Sequence, residues 1–289
     1  MIMIRKTGSL MAVLVLAWAF APLSVRAATT WNTAANPTST SCPVASCSNQ
    51  HEGLVVTDPN MIPYGNQFTF TSTSGNLPLN ATSYFVSSNA TSSALQAANI
   101  EEYTGNGIGV TSQTVNPSFL ENVGNTPGHT IDNQGVYDMV VFQLPSSNFD
   151  VTQIALKTFS TTQYASGAAD FTILVGGNAS ANALTLAGFA GKTLAQLTGT
   201  GVGNYGFTPL DYTNATGGTF NVNPGGLTGR YLIVIASLTN TSRNDDFKIS
   251  SITGTTLIRK VDEPSSITLL LAATLSILYF RRRTAAIRR

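Results

Sequence analysis

Charge is scarce in this sequence. Asp, Glu, Lys and Arg together make up 10% of its 289 residues, against roughly 25% in an average soluble domain. A surface with so few charges must be built from hydroxyls and amides, and Thr, Ser, Asn and Gly are abundant. β-propensity and turn propensity are both well supplied, while helix formers are few. Histidine occurs only as His51 and His129, which leaves little base for a hydroxyl nucleophile. G-x-S-x-G and H-E-x-x-H are both absent, which excludes the usual serine-hydrolase elbow and a zincin. There is no P-loop. The Gly-rich stretch GTGVGNYG (199–206) neither follows a strand nor opens a helix in the manner of a dinucleotide site.

The few charges are unevenly placed. Residues 28–263 hold seven basic and all fourteen acidic residues, a net −7, while the other basic residues sit at the two ends. An acidic body argues against nucleic acid and against anionic lipid surfaces, and is compatible with a divalent cation.

The N-terminal stretch has Arg5 and Lys6, then an apolar run from Leu10 to about Pro22, then Val25-Arg26-Ala27. That is the pattern of a secretory signal peptide over 1–27, with signal peptidase cutting between Ala27 and Ala28. No cysteine stands at the cut, which disfavours a lipoprotein. An exported chain meets oxidising conditions, so Cys42 and Cys47 are expected to pair, in an N-terminal extension over 28–53. A metal there would need more ligands than His51 supplies.

From 54 to 260 the chain alternates short apolar segments with Gly, Asn, Pro and Ser-Thr clusters. Strands are expected at 67–71, 83–87, 107–115, 136–144, 151–159, 170–177, 219–223, 230–238, 247–253 and 255–260. Many short strands at such spacing predict an all-β fold, a single β-sandwich or jelly-roll-like domain. RYLIVIASL (230–238) is apolar on both faces and predicts a central strand. FKISSIT (247–253) alternates loosely, as a half-exposed strand does. The Ser-Thr-Asn-rich stretch 72–99 reads as a long loop or a pair of edge strands. A short helix is expected around Lys192 to Leu197.

The densest polar constellation is PGHTIDNQGVYDMVVFQL (127–144), with His129, Asp132, Asn133 and Asp138 within ten residues. Oxygen ligands on a loop suit Ca2+, and Asp170 at the head of the next strand adds a carboxylate. The alternative is a tight turn, because Asp and Asn side chains bond the local backbone. Glu101 and Glu102 are adjacent, and such pairs are usually solvated. Glycosidase chemistry would need two carboxylates across a cleft, drawn from Glu101, Glu102, Glu121, Asp132, Asp138 and Asp170.

Residues 261–289 combine Val261-Asp262-Glu263-Pro264, an apolar run from Ile267 to Phe280, and Arg281, Arg282 and Arg283. As a helix the apolar run spans only about 20 Å, short of a bilayer core of roughly 30 Å. Snorkelling arginines on the cytoplasmic side would bring it to a minimal crossing. The segment resembles the PEP-CTERM sorting signal of bacteria that encode exosortases. The Glu-Pro core matches, and Asp262 stands where the usual motif has its first Pro. The body is similar to one family of exosortase-dependent surface proteins, through GIGVTSQ (107–113), PGHTIDNQGVYDMVVFQL (127–144), DFTILV (170–175) and RYLIVIAS…DDFKISSITG (230–254). The resemblance implies an exported protein, held transiently in the inner membrane of a Gram-negative bacterium. An exosortase-type transpeptidase then sorts it to the envelope, surface or extracellular matrix. Such proteins are associated with biofilm and exopolysaccharide, and no enzymatic activity is implied.

Three function classes follow. The first is a non-enzymatic surface or matrix protein that interacts with exopolysaccharide, with Tyr103, Tyr137, Tyr164, Tyr205 and Tyr212 available to stack on sugar rings. The second is a carbohydrate-active enzyme with a carboxylate pair. The third is a self-associating structural adhesin, joined by edge strands.

Overall fold

Trp31, Phe149, Phe171 and Phe247 are each 0% exposed, and they come from four strands far apart in the sequence. The computed structural model describes residues 28–35, 37–41, 61–74, 77–87, 91–103, 105–111, 130–133, 136–158, 169–177, 184–200, 202–239, 245–256 and Thr274. The chain divides into a body, Ala27–Leu257, and a second unit of Met1–Arg26 with Ile258–Arg289. In the second unit only Thr274 is described.

The body is all-β. Its first strands are β1 (Ala28–Asn32), β2 (Ser39–Ser41), β3 (Met61–Gly65), β4 (Gln67–Thr71), β5 (Pro78–Val86) and β6 (Gln96–Ala97). Next come β7 (Asn99–Tyr103), β8 (Gly107–Thr111), β9 (Ile131–Asp132), β10 (Tyr137–Gln143), β11 (Phe149–Thr158) and β12 (Phe171–Gly176). After a 3-10 turn at Leu186–Phe189 and a helix α1 (Leu194–Thr198) follow β13 (Thr208–Tyr212), β14 (Gly218–Asn221) and β15 (Thr228–Gly229). The last two are β16 (Tyr231–Ala236) and β17 (Asp246–Thr256). Nine strands form one sheet, ordered β14-β11-β17-β8-β7-β3, with β1 and β9 on β17 and β15 on β11. Eight form the other, ordered β13-β12-β16-β10-β5-β4-β2, with β6 on β5. Every pairing is antiparallel.

Side chains from both sheets interleave in one core. Phe171 of β12 stacks on Tyr212 at 4.7 Å and meets Phe220 and Phe247 of the other sheet at 5.5 and 6.2 Å. Edge contacts of this kind add to the roughly 2–3 kcal/mol that burial of such a ring contributes. β16 is buried along its whole length between β12 and β10, as its two-sided apolar sequence requires. β5 runs between β10 and β4, so the polar stretch 72–99 contains an interior strand. Its hydroxyl at Thr82 donates to Asn66 Oδ1 at 3.1 Å, and Asn66 donates in turn to the Ala98 carbonyl. Within 28–53, β1 pairs with β17 and β2 with β4, so this stretch supplies strands to both sheets.

The loose alternation of FKISSIT has a structural cause. Opposite Ala155 and Leu156 stand Ser251 and Ile249, so Ser250 is an extra residue, a β-bulge. The bulge resets the alternation, and Ile252 returns to the core face with Phe247 and Ile249. The carbonyl of Ser250 is not wasted, since it accepts from Thr33 N and Ala34 N at 3.0 and 3.2 Å. What reads as two strands is therefore one, Asp246–Thr256.

A second apolar cluster lies on the outer face of the eight-stranded sheet. Residues 184–207 strap across it, burying Leu186, Phe189, Leu194, Leu197 and Phe207 on Met139, Val141 and Ile233. The helix expected near 192–197 is part of this strap. Thr193 caps it in a reciprocal pair with Gln196. Tyr84 and Tyr231 pin the strap by donating to the carbonyls of Leu186 and Leu184. Burial pushes the Tyr84 hydroxyl up to about 12, which keeps it a donor at any physiological pH.

Candidate functional site

Asp132, Asn133 and Asp170 meet Asp245 and Asp246 at one end of the two sheets. Asp132 closes the short strand β9 and stands opposite Asp246 of β17. Asn133 follows it and grips Asp245: its Nδ2 donates to Asp245 Oδ2 at 2.8 Å, and its Oδ1 accepts from Asp245 N at 3.0 Å. The other Asp245 oxygen accepts from the backbone N of Asp170 at 3.0 Å. Asp170 in turn accepts from Ala215 N at 2.8 Å, at the connection between β13 and β14. Asp170 and Asp245 are both 0% exposed. One buried carboxylate, Asp245, thus ties the start of β17 to the start of β12 in the opposite sheet.

Asp138 is fully buried inside β10, opposite Phe85, on the inward face it shares with Val140 and Phe142. Of the residues read as oxygen ligands, Asp132 and Asp138 therefore stand in strands of different sheets. Asn133 and Asp170 spend side-chain oxygens on backbone N–H groups. Among the described residues no three His, Cys, Asp or Glu side chains gather as a metal group; His129 lies outside them. The geometry is that of a hydrogen-bond node. Melting curves recorded in calcium and in a chelator test the ion: a rise with calcium would assign this end of the body to it, and superimposed curves would leave the hydrogen bonds alone to hold it.

Asp245 and Asp246 were not among the residues the sequence singled out. Their signal was present as an Asp-Asp pair ahead of an apolar strand, but nothing local gives their partners. Asp246 is 8% exposed, and its Oδ1 has no hydrogen-bond partner among the described residues. Burial raises its pKa above the usual aspartate range, against the opposing hydrogen bond from Thr130 and the charge of Lys248. A carboxyl with a raised folded pKa favours folding fully below its unfolded pKa. That contribution is lost as pH rises through the folded value. Asp246→Asn should therefore melt higher than the wild type near neutral pH, and the difference should vanish in acid. Equal melting temperatures at all pH values would contradict the burial argument.

Glu101 and Glu102, expected on a solvated face, are 3% and 1% exposed. Sheet alternation explains the pair: Glu102 shares the inward side of β7 with Ile100, and Glu101 the outward side with Tyr103. Tyr103 donates to Glu101 at 3.1 Å, and the Lys248 ammonium, 1% exposed, sits 3.9 Å from the centre of the Tyr103 ring. That separation is a cation–π contact, stronger for being desolvated.

The tyrosines offered for sugar stacking are mostly taken. Tyr137 and Tyr205 are buried, at 9% and 8% exposure. Tyr212 stacks on Phe171 and accepts from Asn223 N at 2.8 Å. Tyr103 carries Lys248. Tyr164, Glu121, Cys42, Cys47, Ala27, the motif Val261–Pro264 and Arg281–Arg283 lie outside the described residues. Ala28 is the first residue of β1.

A shallow groove of about 670 Å3 opens between β11 and β14 on the nine-stranded sheet. Lys157, Thr158, Thr216, Gly217, Gly218, Thr219 and Ser250 are among the residues that line it. Its lining is mixed, with Ala155 and Leu156 beside the hydroxyls and the Lys157 ammonium. Among the described residues no helix is long and apolar enough to cross a membrane. Comparison of the chain with protein-family models, with curated proteins and with solved structures finds no match.

Proposed function

We propose that this chain is an exported surface or extracellular-matrix protein. In this reading a β-sandwich body of jelly-roll type stands between a cleaved signal peptide, 1–27, and a PEP-CTERM-like sorting signal, 261–289. An exosortase-type transpeptidase releases it from transient anchoring in the inner membrane, and the body then interacts with exopolysaccharide or other matrix components without catalysis. The observation that carries the reading is the order Val261-Asp262-Glu263-Pro264, minimal apolar run, Arg281–Arg283. A permanent anchor needs no Glu-Pro step ahead of so short a run. A removable tag does, as in other signals that join a processing site to a hydrophobic tail.

Two further facts support it. Cleavage after Ala27 would leave β1 whole, beginning at Ala28. Of the six carboxylates from which a glycosidase pair would be drawn, Glu101, Glu102, Asp132, Asp138 and Asp170 are buried in the fold, and Glu121 lies outside the described residues. The test is mass spectrometry of the protein recovered from its native host. The expected mature chain begins at Ala28 and lacks the residues beyond about Pro264. An intact tail would make the segment a retained anchor and end the sorting reading.

A further inference from the structure

The two sheets treat their outer faces differently. The eight-stranded sheet covers its apolar outer face with the chain's own 184–207 strap. The nine-stranded sheet leaves part of its outer face open, and the register of four strands fixes what is shown there. Across β14, β11, β17 and β1, one row runs Thr219, Ala155, Ser251, Asn32. The next row runs Asn221, Gln153, Thr253, Thr30. All eight are exposed or half-buried, while their neighbours Trp31, Ile154 and Ile252 point into the core.

The second row is prearranged. Gln153 donates to Asn221 at 2.9 Å, and the hydroxyls of Thr30 and Thr253 are 2.9 Å apart. With adjacent strands about 4.8 Å apart, each row spans roughly 14 Å. The groove at Thr216–Thr219 opens at the β14 end of the same face, beside Lys157.

We propose that this face binds a neutral, hydroxyl-rich polysaccharide laid across the rows and into the groove. The proposal rests on the exopolysaccharide reading above and assigns it a place. The two rows hold eight polar or small positions without one charge, in a chain where charge is scarce throughout, and Lys157 is the charged residue lining the groove. Amides and hydroxyls paired along a row offer both donors and acceptors, as sugar hydroxyls require. A protein partner would need aromatic or aliphatic anchors. The large hydrophobics exposed among the described residues, Leu77 and Val202, lie on neither row. A polyanionic glycan is disfavoured by the −7 of residues 28–263.

The test is affinity electrophoresis of the mature chain in native gels containing dextran, hydroxyethylcellulose or alginate, with mobility referred to a glycan-free gel. At least one neutral glycan should retard the wild type. The double variant Gln153→Ala/Asn221→Ala should weaken the retardation about tenfold or more, by loss of two polar partners, with its melting temperature unchanged. Should that variant fold poorly, Thr219→Lys on the exposed edge strand replaces it. Retardation that survives a folded variant would overturn the site while leaving the polysaccharide reading intact. Retardation by alginate alone would overturn the neutral class. No retardation by any glycan would overturn both this proposal and the polysaccharide partner, while the terminal masses still judge export and sorting separately.

Discussion

Replacing Asp245 by Ala should lower the stability of the body by about 3–4 kcal/mol and its melting temperature by roughly 10 °C. The side chain is 0% exposed and accepts from both Asn133 Nδ2 and Asp170 N. Its truncation leaves the buried Asp170 N–H and the half-buried Asn133 amide without their acceptor, and the first carries the full cost of desolvation. The damage is not confined to one strand. Asn133 leads from β9 and Asp170 leads into β12, so the lost acceptor is what holds the two sheets together at this end. Asp245→Asn should cost less, because one oxygen can still serve Asp170. Denaturant unfolding of the three proteins decides the matter. An Ala variant within about 1 kcal/mol of the wild type, the worth of a single net hydrogen bond, would show that the node is not holding the sheets.

Gly107→Ala should be at least as damaging, with a loss of about 3–5 kcal/mol or no recoverable folded protein. Gly107 opens β8 with φ +114°, a backbone conformation that L side chains rarely adopt. A Cβ there would stand 2.2 Å from the carbonyl oxygen of Ile249 and 2.9 Å from Ser250 Cα. Both obstacles are backbone, and both belong to the bulged segment of β17, which is held from its other edge by β11. Neither can yield by a rotamer change, so the β7–β8 hairpin must move away from β17. Gly203→Ala is the control. It also has positive φ, but a Cβ there meets nothing within 4 Å, so only the conformational cost of roughly 1–2 kcal/mol should appear. If the two variants lose equal stability, close approach is not what requires Gly107.

The strongest β segments were legible because their patterns are local. RYLIVIASL is apolar on both faces, and it became the fully buried β16. QFTFT alternates cleanly, and β4 occupies Gln67–Thr71. A short helix is expected around Lys192 to Leu197, and α1 occupies Leu194–Thr198. Patterns that depend on a neighbour were misread. The stretch 72–99 looked like loop or edge because Asn80, Thr82 and Ser83 are polar, yet β5 is interior, with Asn66 supplying the partner for Thr82. The disrupted alternation of 247–253 suggested a half-exposed strand, because a bulge cannot be told from a polar face without the opposing strand.

The site followed the same division. Sequence alone determined that this chain would be an all-β body with a charge-poor polar surface. Scarce charge, abundant hydroxyls and short alternating segments leave little else, and these properties belong to each residue separately. Tertiary structure decided which polar side chains are buried cross-links and which face solvent. Asp132, Asn133 and Asp138 stand close together in the sequence and Asp170 heads a later strand, and pairing set Asp132 and Asp138 in different sheets while Asn133 and Asp170 both meet Asp245, more than seventy residues from Asp170 in the chain. Thr30, Gln153, Asn221 and Thr253 looked like unrelated turn and strand residues, and the register of β14, β11, β17 and β1 set them in one row. A carboxylate's role depends on the dielectric and the donors around it, and a surface depends on which strands lie side by side. Both are properties of contacts between distant segments, which no local pattern records.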